Sequence, residues 1–176
     1  PMAPDLKTVR DLAKYPQLFQ DDENKDKGRI YGAIPGWGID TILYKKYVAY
    51  GLDKDFIYFR SGSEAALFTA FMAAYTKGEP IVGYCYEPTW ISGKLDMVLL
   101  EDAPYSPEAF DAGLTEARGV PVCVVANVQL LKKSPEFASF LKKYRTSSAL
   151  TAEALAHIAD TKADYHTTAK WFLQNH

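Results

Sequence analysis

In the first half of this chain, short runs of β-forming residues alternate with stretches whose apolar side chains recur at helical spacing. That order constrains the fold more than any other feature. Arg29 to Ile34, Phe56 to Phe59, Pro80 to Tyr86 and Leu95 to Leu100 read as strands. Ile42, Leu43, Tyr47 and Tyr50 mark one face of a helix that Gly51 ends. After Ser61-Gly62-Ser63-Glu64, with its ready N-cap, Leu67, Phe68, Phe71, Met72 and Tyr75 cover so wide an arc that the next helix should be well buried. The alternation predicts an α/β fold, a mostly parallel sheet flanked by helices. Ligands of such sheets sit beyond the carboxyl ends of the strands. The turns after Ile34, Phe59 and Tyr86 would share that edge.

Elsewhere the patterns are plainer. Asp5 to Tyr15 has helical spacing, with Asp5 as N-cap, and Gln20 to Gly28 is a charged loop. Pro104 to Gly113 reads as loop with one helical turn at most. Val120 to Val128 is a nearly continuous apolar run, as expected of a strand buried on both faces. Three helices follow, Pro135 to Tyr144, Ala152 to Thr161 and Asp164 to Asn175, with Ser134 and Thr151 as N-caps.

Composition excludes several classes. The chain has 176 residues, 48% of them hydrophobic and 24% charged, as in an ordinary globular protein with one full core. A net charge of −2 without a basic block argues against nucleic acid as a partner. No apolar run approaches the ~20 residues of a membrane span. The opening Pro1-Met2-Ala3-Pro4 has neither a basic nor an apolar leader region, as in a cytosolic chain or in a mature or truncated form. Cys85 and Cys123 match no metal-ligand spacing and read first as buried free thiols in strands, with a disulfide between adjacent strands as the alternative; neither a metal nor another cofactor is expected.

The stretch Ile34-Pro35-Gly36-Trp37-Gly38-Ile39 carries the clearest chemistry. Its glycines allow a sharp turn and a close approach. The helix start that follows offers free N–H groups and suits an anion. The face of Trp37 suits a cation. A ligand bearing both charges would satisfy both.

Other constellations are weaker. Gly36-Trp37-Gly38 also opens a dinucleotide fingerprint, with Thr41 where the third glycine belongs and Arg60 placed to meet a 2′-phosphate. A Trp where the backbone must touch a pyrophosphate weighs against it, so nucleotide binding is the second reading. No Gly-x-Ser-x-Gly is present, and His157, His166 and His176 lie in the terminal helices, far in sequence from either cysteine, and read as surface histidines. Asp40, Glu64, Glu87 and Asp96 form no paired-carboxylate motif. Glu64 reads as a helix-start residue, and Glu87 as a turn carboxylate directly after Tyr86.

Taken in order, Ile34-Pro35-Gly36-Trp37-Gly38, Phe59-Arg60-Ser61-Gly62-Ser63-Glu64-Ala65-Ala66-Leu67 and Gly78 to Trp90 resemble the substrate-binding proteins of glycine betaine/choline (quaternary-amine) ABC transporters. Lys94 to Glu101 and Ala169-Lys170-Trp171-Phe172-Leu173 fit the same pattern, so the likeness covers nearly the whole chain. The resemblance implies a Rossmann-like lobe of a type II periplasmic-binding-protein fold, with extra C-terminal helices. It implies capture of a quaternary-ammonium or methylamine osmolyte in an aromatic cage, without catalysis, outside the cytoplasm, either in the periplasm or lipid-anchored at the outer face of the membrane. The partners it implies are that small molecule and the ABC permease. Trp37 matches a cage Trp, Gly38 and Ile39 match positions whose N–H groups would hold a ligand carboxylate, and Tyr86 falls where many members have Trp. Glu87 hints at a ligand lacking a carboxylate or carrying a hydroxyl. Residues 1–128 would be the second lobe and residues 129–176 helices returning toward the first, most of which this sequence would lack. Apolar faces left exposed on those helices would favour self-association.

Overall fold

The computed structural model describes residues 3–176, in two compact units: residues up to Glu87 with Lys94–Ala117, and Pro88–Gly93 with Arg118–His176. In the first unit, β1 (Gly28–Tyr31) lies parallel to β2 (Phe56–Phe59), in register from Gly28 opposite Phe56 to Tyr31 opposite Phe59. Helix α1 (Gly38–Ala49) connects them, and α2 (Glu64–Lys77) follows β2. The helix boundaries are set locally. Gly51 and Gly78 take left-handed conformations just past the two helix ends, and the Ser63 hydroxyl accepts from the Ala66 N–H at the start of α2.

Leu12, Phe19, Leu52 and Phe56 form a buried cluster on which Leu6, Val9, Ile30, Tyr47, Val82 and Leu100 pack. Helix α2 buries Leu67, Phe68 and Phe71, whereas Tyr75 at its far end stays exposed, so the helix is less enclosed than its composition predicts. A short helix α3 (Pro107–Asp111) is the single turn expected within 104–113.

The parallel sheet is smaller than the sequence predicts. The expected third strand, Pro80 to Tyr86, touches β1 through one parallel bridge, Tyr31 with Gly83, built from Tyr31 N–H to the Val82 carbonyl and Tyr84 N–H to the Tyr31 carbonyl. Of the expected strand Leu95 to Leu100, Val98 and Leu99 are exposed loop residues, and a bridge to Thr8 forms only beyond it, at Glu101. Residues 120–127 are likewise irregular, with Val122 and Val125 about nine-tenths exposed, so the strand predicted at Val120 to Val128 does not form. β-propensity measures how well a side chain suits a paired surface. Where no neighbouring strand supplies the ladder, the same residues stay irregular. Pro121 also lacks a donor for pairing.

At the start of the chain a 3-10 helix, Val9–Lys14, replaces the predicted longer helix. Thr8, not Asp5, caps it, in a reciprocal box with Asp11.

The second unit is helical: α4 (Val128–Lys133), α5 (Pro135–Lys143), α6 (Ser148–Thr161) and α7 (Tyr165–Asn175). Helix α6 begins earlier than predicted because Ser147, not Thr151, accepts from the Leu150 N–H. Ser134 stands at the N-cap of α5 but makes no side-chain cap bond. Gly93 packs so closely on α6 that a Cβ there would overlap the Ala152 carbonyl. His157 is half-buried and stacked on the Trp171 indole, 3.9 Å between ring centroids, which corrects its reading as a surface residue. Neither cysteine is a buried thiol: Cys85 is half-buried, Cys123 is exposed, and neither forms a disulfide.

Candidate ligand site

The turn after β1 is built from below. Gly36 has φ of 90°, a conformation that glycine takes at little strain because it has no Cβ and that other residues rarely adopt. The Trp37 N–H donates to the Ile34 carbonyl at 3.0 Å, and the Asp40 N–H donates to the Trp37 carbonyl at 3.0 Å. Trp37 thereby becomes the N-cap of α1, and an indole has no acceptor with which to cap it. Gly38 and Ile39 take the first two helical positions, whose N–H groups have no acceptor within the helix. A Cβ placed on Gly36 or Gly38 would meet nothing within 4 Å, so this turn is open.

Tyr58 and Asp40 hold the turn in place. The Tyr58 hydroxyl accepts from the Ala33 N–H at 3.3 Å and donates to Asp40 Oδ1 at 3.0 Å. Burial, reinforced by Asp40, pushes that hydroxyl's pKa far above the usual phenol range. Arg60 Nε donates to both Asp40 oxygens at 3.0 and 2.9 Å, and its guanidinium lies over the rings of Tyr44 and Tyr58. Gly32 leaves room for the Tyr58 ring, which a Cβ there would overlap.

Over this turn stand three aromatic rings. Trp37 meets Tyr86 edge to face at 5.8 Å between centroids and Tyr84 at 6.4 Å, while Tyr84 and Tyr86 stack at 6.1 Å with planes 25° apart. Trp37 and Tyr86 are 37% and 38% exposed, so about a third of each stays accessible to a visitor. The Tyr86 hydroxyl donates to Glu64 Oε1 at 2.5 Å, which with burial pushes its pKa up to about 12. Burial also raises that of Tyr84. Phe68 lies 6.4 Å from Tyr86 between ring centroids. The loops after β1 and β2 and the extended segment 80–86 thus meet at one edge, with Glu87 exposed just beyond.

A family model described as the substrate-binding domain of ABC-type glycine betaine transport systems, OpuAC, matches residues 1–175. The chain belongs to this family. It is 30% identical over 146 residues to the glycine betaine-binding periplasmic protein OusX of Dickeya dadantii, covering 74% of this chain and 44% of that protein. It is 28% identical over 131 residues to the glycine betaine/proline betaine-binding periplasmic protein of Salmonella typhimurium, covering 66% of this chain and 39% of that one. The chain therefore spans less than half the length of these relatives. Among solved structures it resembles lactococcal OpuAC in its closed-liganded conformation complexed with glycine betaine, with a TM-score of 0.59 at 20% identity, over 100% of this chain and 61% of that one. The fold is that of the type II periplasmic-binding proteins.

Membership in the OpuAC family and the geometry both remove the nucleotide reading. Arg60, the residue suggested for a 2′-phosphate, is committed to Asp40. The turn that would cradle a pyrophosphate displays an indole. A cleft of about 480 Å³ opens elsewhere in the same unit, where Asp22, Lys25, Arg29, Lys77 and Glu79 mix both signs of charge and focus neither. Among the described residues no group of three or more His, Cys, Asp or Glu is placed to hold a metal, and no helix is long and apolar enough to cross a membrane.

Sequence reasoning singled out Trp37, Gly38, Ile39, Tyr86 and Glu87, and the structure gathers the first four around one turn. It passed over Tyr84 and gave Glu64 no role beyond its helix. The signal for Tyr84 was available: in an extended segment residues two apart point to the same face, so Tyr84 must accompany Tyr86.

Proposed function

We propose that this OpuAC-family chain forms one wall of a site that captures a quaternary-ammonium or methylamine osmolyte, of the glycine betaine or choline type, for delivery to an ABC permease outside the cytoplasm. The observation that carries this reading is the edge-to-face pair of Trp37 and Tyr86, in which Trp37 is itself the N-cap that opens α1 without a side-chain cap bond. A fully methylated nitrogen has no N–H to donate, so ring faces are its natural partners. Trp37, Tyr86 and Tyr84 offer such faces. The N–H groups of Gly38 and Ile39 offer donors for a carboxylate at the positive end of a helix. Glu87 is an anionic neighbour for a ligand whose charge is not balanced by its own carboxylate. The names of the relatives, which bind glycine betaine or proline betaine, support the same ligand class. The proposed role is capture, not catalysis.

In this reading residues 1–128 belong to the second lobe and residues 129–176 return toward the first, which supplies the opposite wall. Each ring contributes ~0.5–2 kcal/mol to a desolvated cation, whereas micromolar binding needs about −8 kcal/mol. These 176 residues alone should therefore bind in the millimolar range. Titrating the chain with glycine betaine, choline and tetramethylammonium while following the Trp37 indole and the Tyr84 and Tyr86 rings by NMR tests this. Shifts confined to that cluster support the site, and shifts elsewhere or none at all overturn it. Exposed Phe137 and Phe140 on α5 and Tyr144 at its C-cap favour self-association of the chain, which sedimentation velocity at rising concentration would register.

A further inference from the structure

The geometry points to Glu64 as a positioning and charge-selecting residue of this site: it holds the Tyr86 ring and biases the site toward quaternary cations over zwitterionic betaines. The inference rests on the site proposed above and concerns which member of the ligand class it favours. Glu64 occupies the first position of α2, immediately after the Ser63 cap, and is half-buried. Its Oε1 accepts the Tyr86 hydroxyl hydrogen at 2.5 Å. That bond ties the start of α2 to the extended segment that carries Tyr86, and it fixes the rotation of a ring that meets Trp37, Tyr84 and Phe68 at 5.8 to 6.4 Å.

Two physical consequences follow. A phenol that donates to a carboxylate draws electron density into its ring, which strengthens the quadrupole that a cation feels. The carboxylate also sits at the margin of the cluster without a cation of its own to neutralise it: among the described residues no Lys, Arg or His forms an ion pair with Glu64. Its field attracts a bare quaternary ammonium. A betaine presents opposite charges to that same field, so most of the attraction cancels. A residue that served only to anchor α2 would have no such preference between ligands.

The test compares Glu64→Gln, Glu64→Ala and Tyr86→Phe in the same chain, with tetramethylammonium, choline and glycine betaine as probes and dissociation constants from NMR titration. Gln keeps an acceptor for the Tyr86 hydroxyl and removes the charge. With it, tetramethylammonium and choline should bind about three- to tenfold more weakly, and glycine betaine less than twofold more weakly. Tyr86→Phe, which frees the ring but leaves the charge, should weaken all three probes by a similar factor. Glu64→Ala should show both effects together. Equal losses for all probes in Glu64→Gln, or no loss for any, would overturn the charge-selecting role. Unchanged affinity in Tyr86→Phe would overturn the positioning role. Failure of the parent chain to respond to any probe would instead overturn the site itself, and this inference with it.

Discussion

Trp37 and Tyr86 meet edge to face, 5.8 Å between ring centroids and 71° between planes, although one stands on the turn after β1 and the other on an extended segment beyond α2. Neither ring is there to fill a core, since each is more than a third exposed. Their meeting depends on supports that can be perturbed one at a time.

Trp37→Ala should cost the site its largest ring face while leaving the fold almost intact. The expected loss is about 1–2 kcal/mol of binding, roughly five- to thirtyfold in affinity for tetramethylammonium. Trp37→Phe should recover part of it. Thermal melts of both variants should stay within a few degrees of the parent. A collapse in stability would mean that the indole is a packing residue.

Gly32→Ala attacks the same turn from beneath. The added methyl overlaps the Tyr58 ring, so Tyr58 must move and its bonds to Ala33 and Asp40 must lengthen. Overpacking of this kind costs about 2 kcal/mol, a fall of about 4–8 °C in melting temperature for a chain of this size. Gly36→Ala strains the positive φ instead, and should displace Trp37 with less effect on Tyr58. Amide shifts of Ala33 and Asp40 distinguish the two.

The Asp21–Arg29 pair should contribute to the acid limb of stability, beside the Asp102–Lys46 pair, whose carboxyl is also held low. Asp21 is 1% exposed, bonds Arg29 Nε at 2.5 Å and accepts the N–H groups of Glu23 and Asn24. Burial alone would raise its pKa, but Arg29 and the two N–H donors outweigh burial and hold it below the usual carboxylate range. A carboxyl depressed on folding stabilises above the unfolded value, and that contribution is lost as pH falls through the folded one. Urea melts should therefore show stability declining from about pH 4 downward. Asp21→Asn should flatten that decline and lower stability at pH 7 by about 2–4 kcal/mol, because Arg29 is left unpaired.

In the helical unit, His157→Ala should remove the stack on Trp171. About 1 kcal/mol of stability should go with it, together with the near-ultraviolet circular dichroism of an immobilised indole. Retention of both would show that contacts other than the imidazole stack fix Trp171.

The parts of this structure that were legible in sequence are those decided within a few residues. The glycine turn, helix α1 with Gly51 beyond it and Ser63 capping α2 follow from local chemistry. The strands at 80–86, 95–100 and 120–128 were over-read, because valine and leucine report fitness for a ladder and not the presence of a partner. Of the residues proposed for the site, Trp37 and Tyr86 were visible through the motifs around them. Glu64 was not, because its contact with Tyr86 joins a helix start to an extended segment whose meeting only the fold brings about. Asp40 was likewise read as one carboxylate among several, since nothing in sequence places Arg60 and Tyr58 around it.

The phenol of Tyr58 spans the turn like a tie-beam, anchored at Ala33 on one side and Asp40 on the other. A backbone braced in this way has little freedom left to surrender when a visitor settles on it, so the rings above can do their work without first being ordered. It also separates the frame from what the frame displays. The identity of the aromatic at position 37 or 86 can drift, and the preference of the surface with it, while the beam beneath stays as it is.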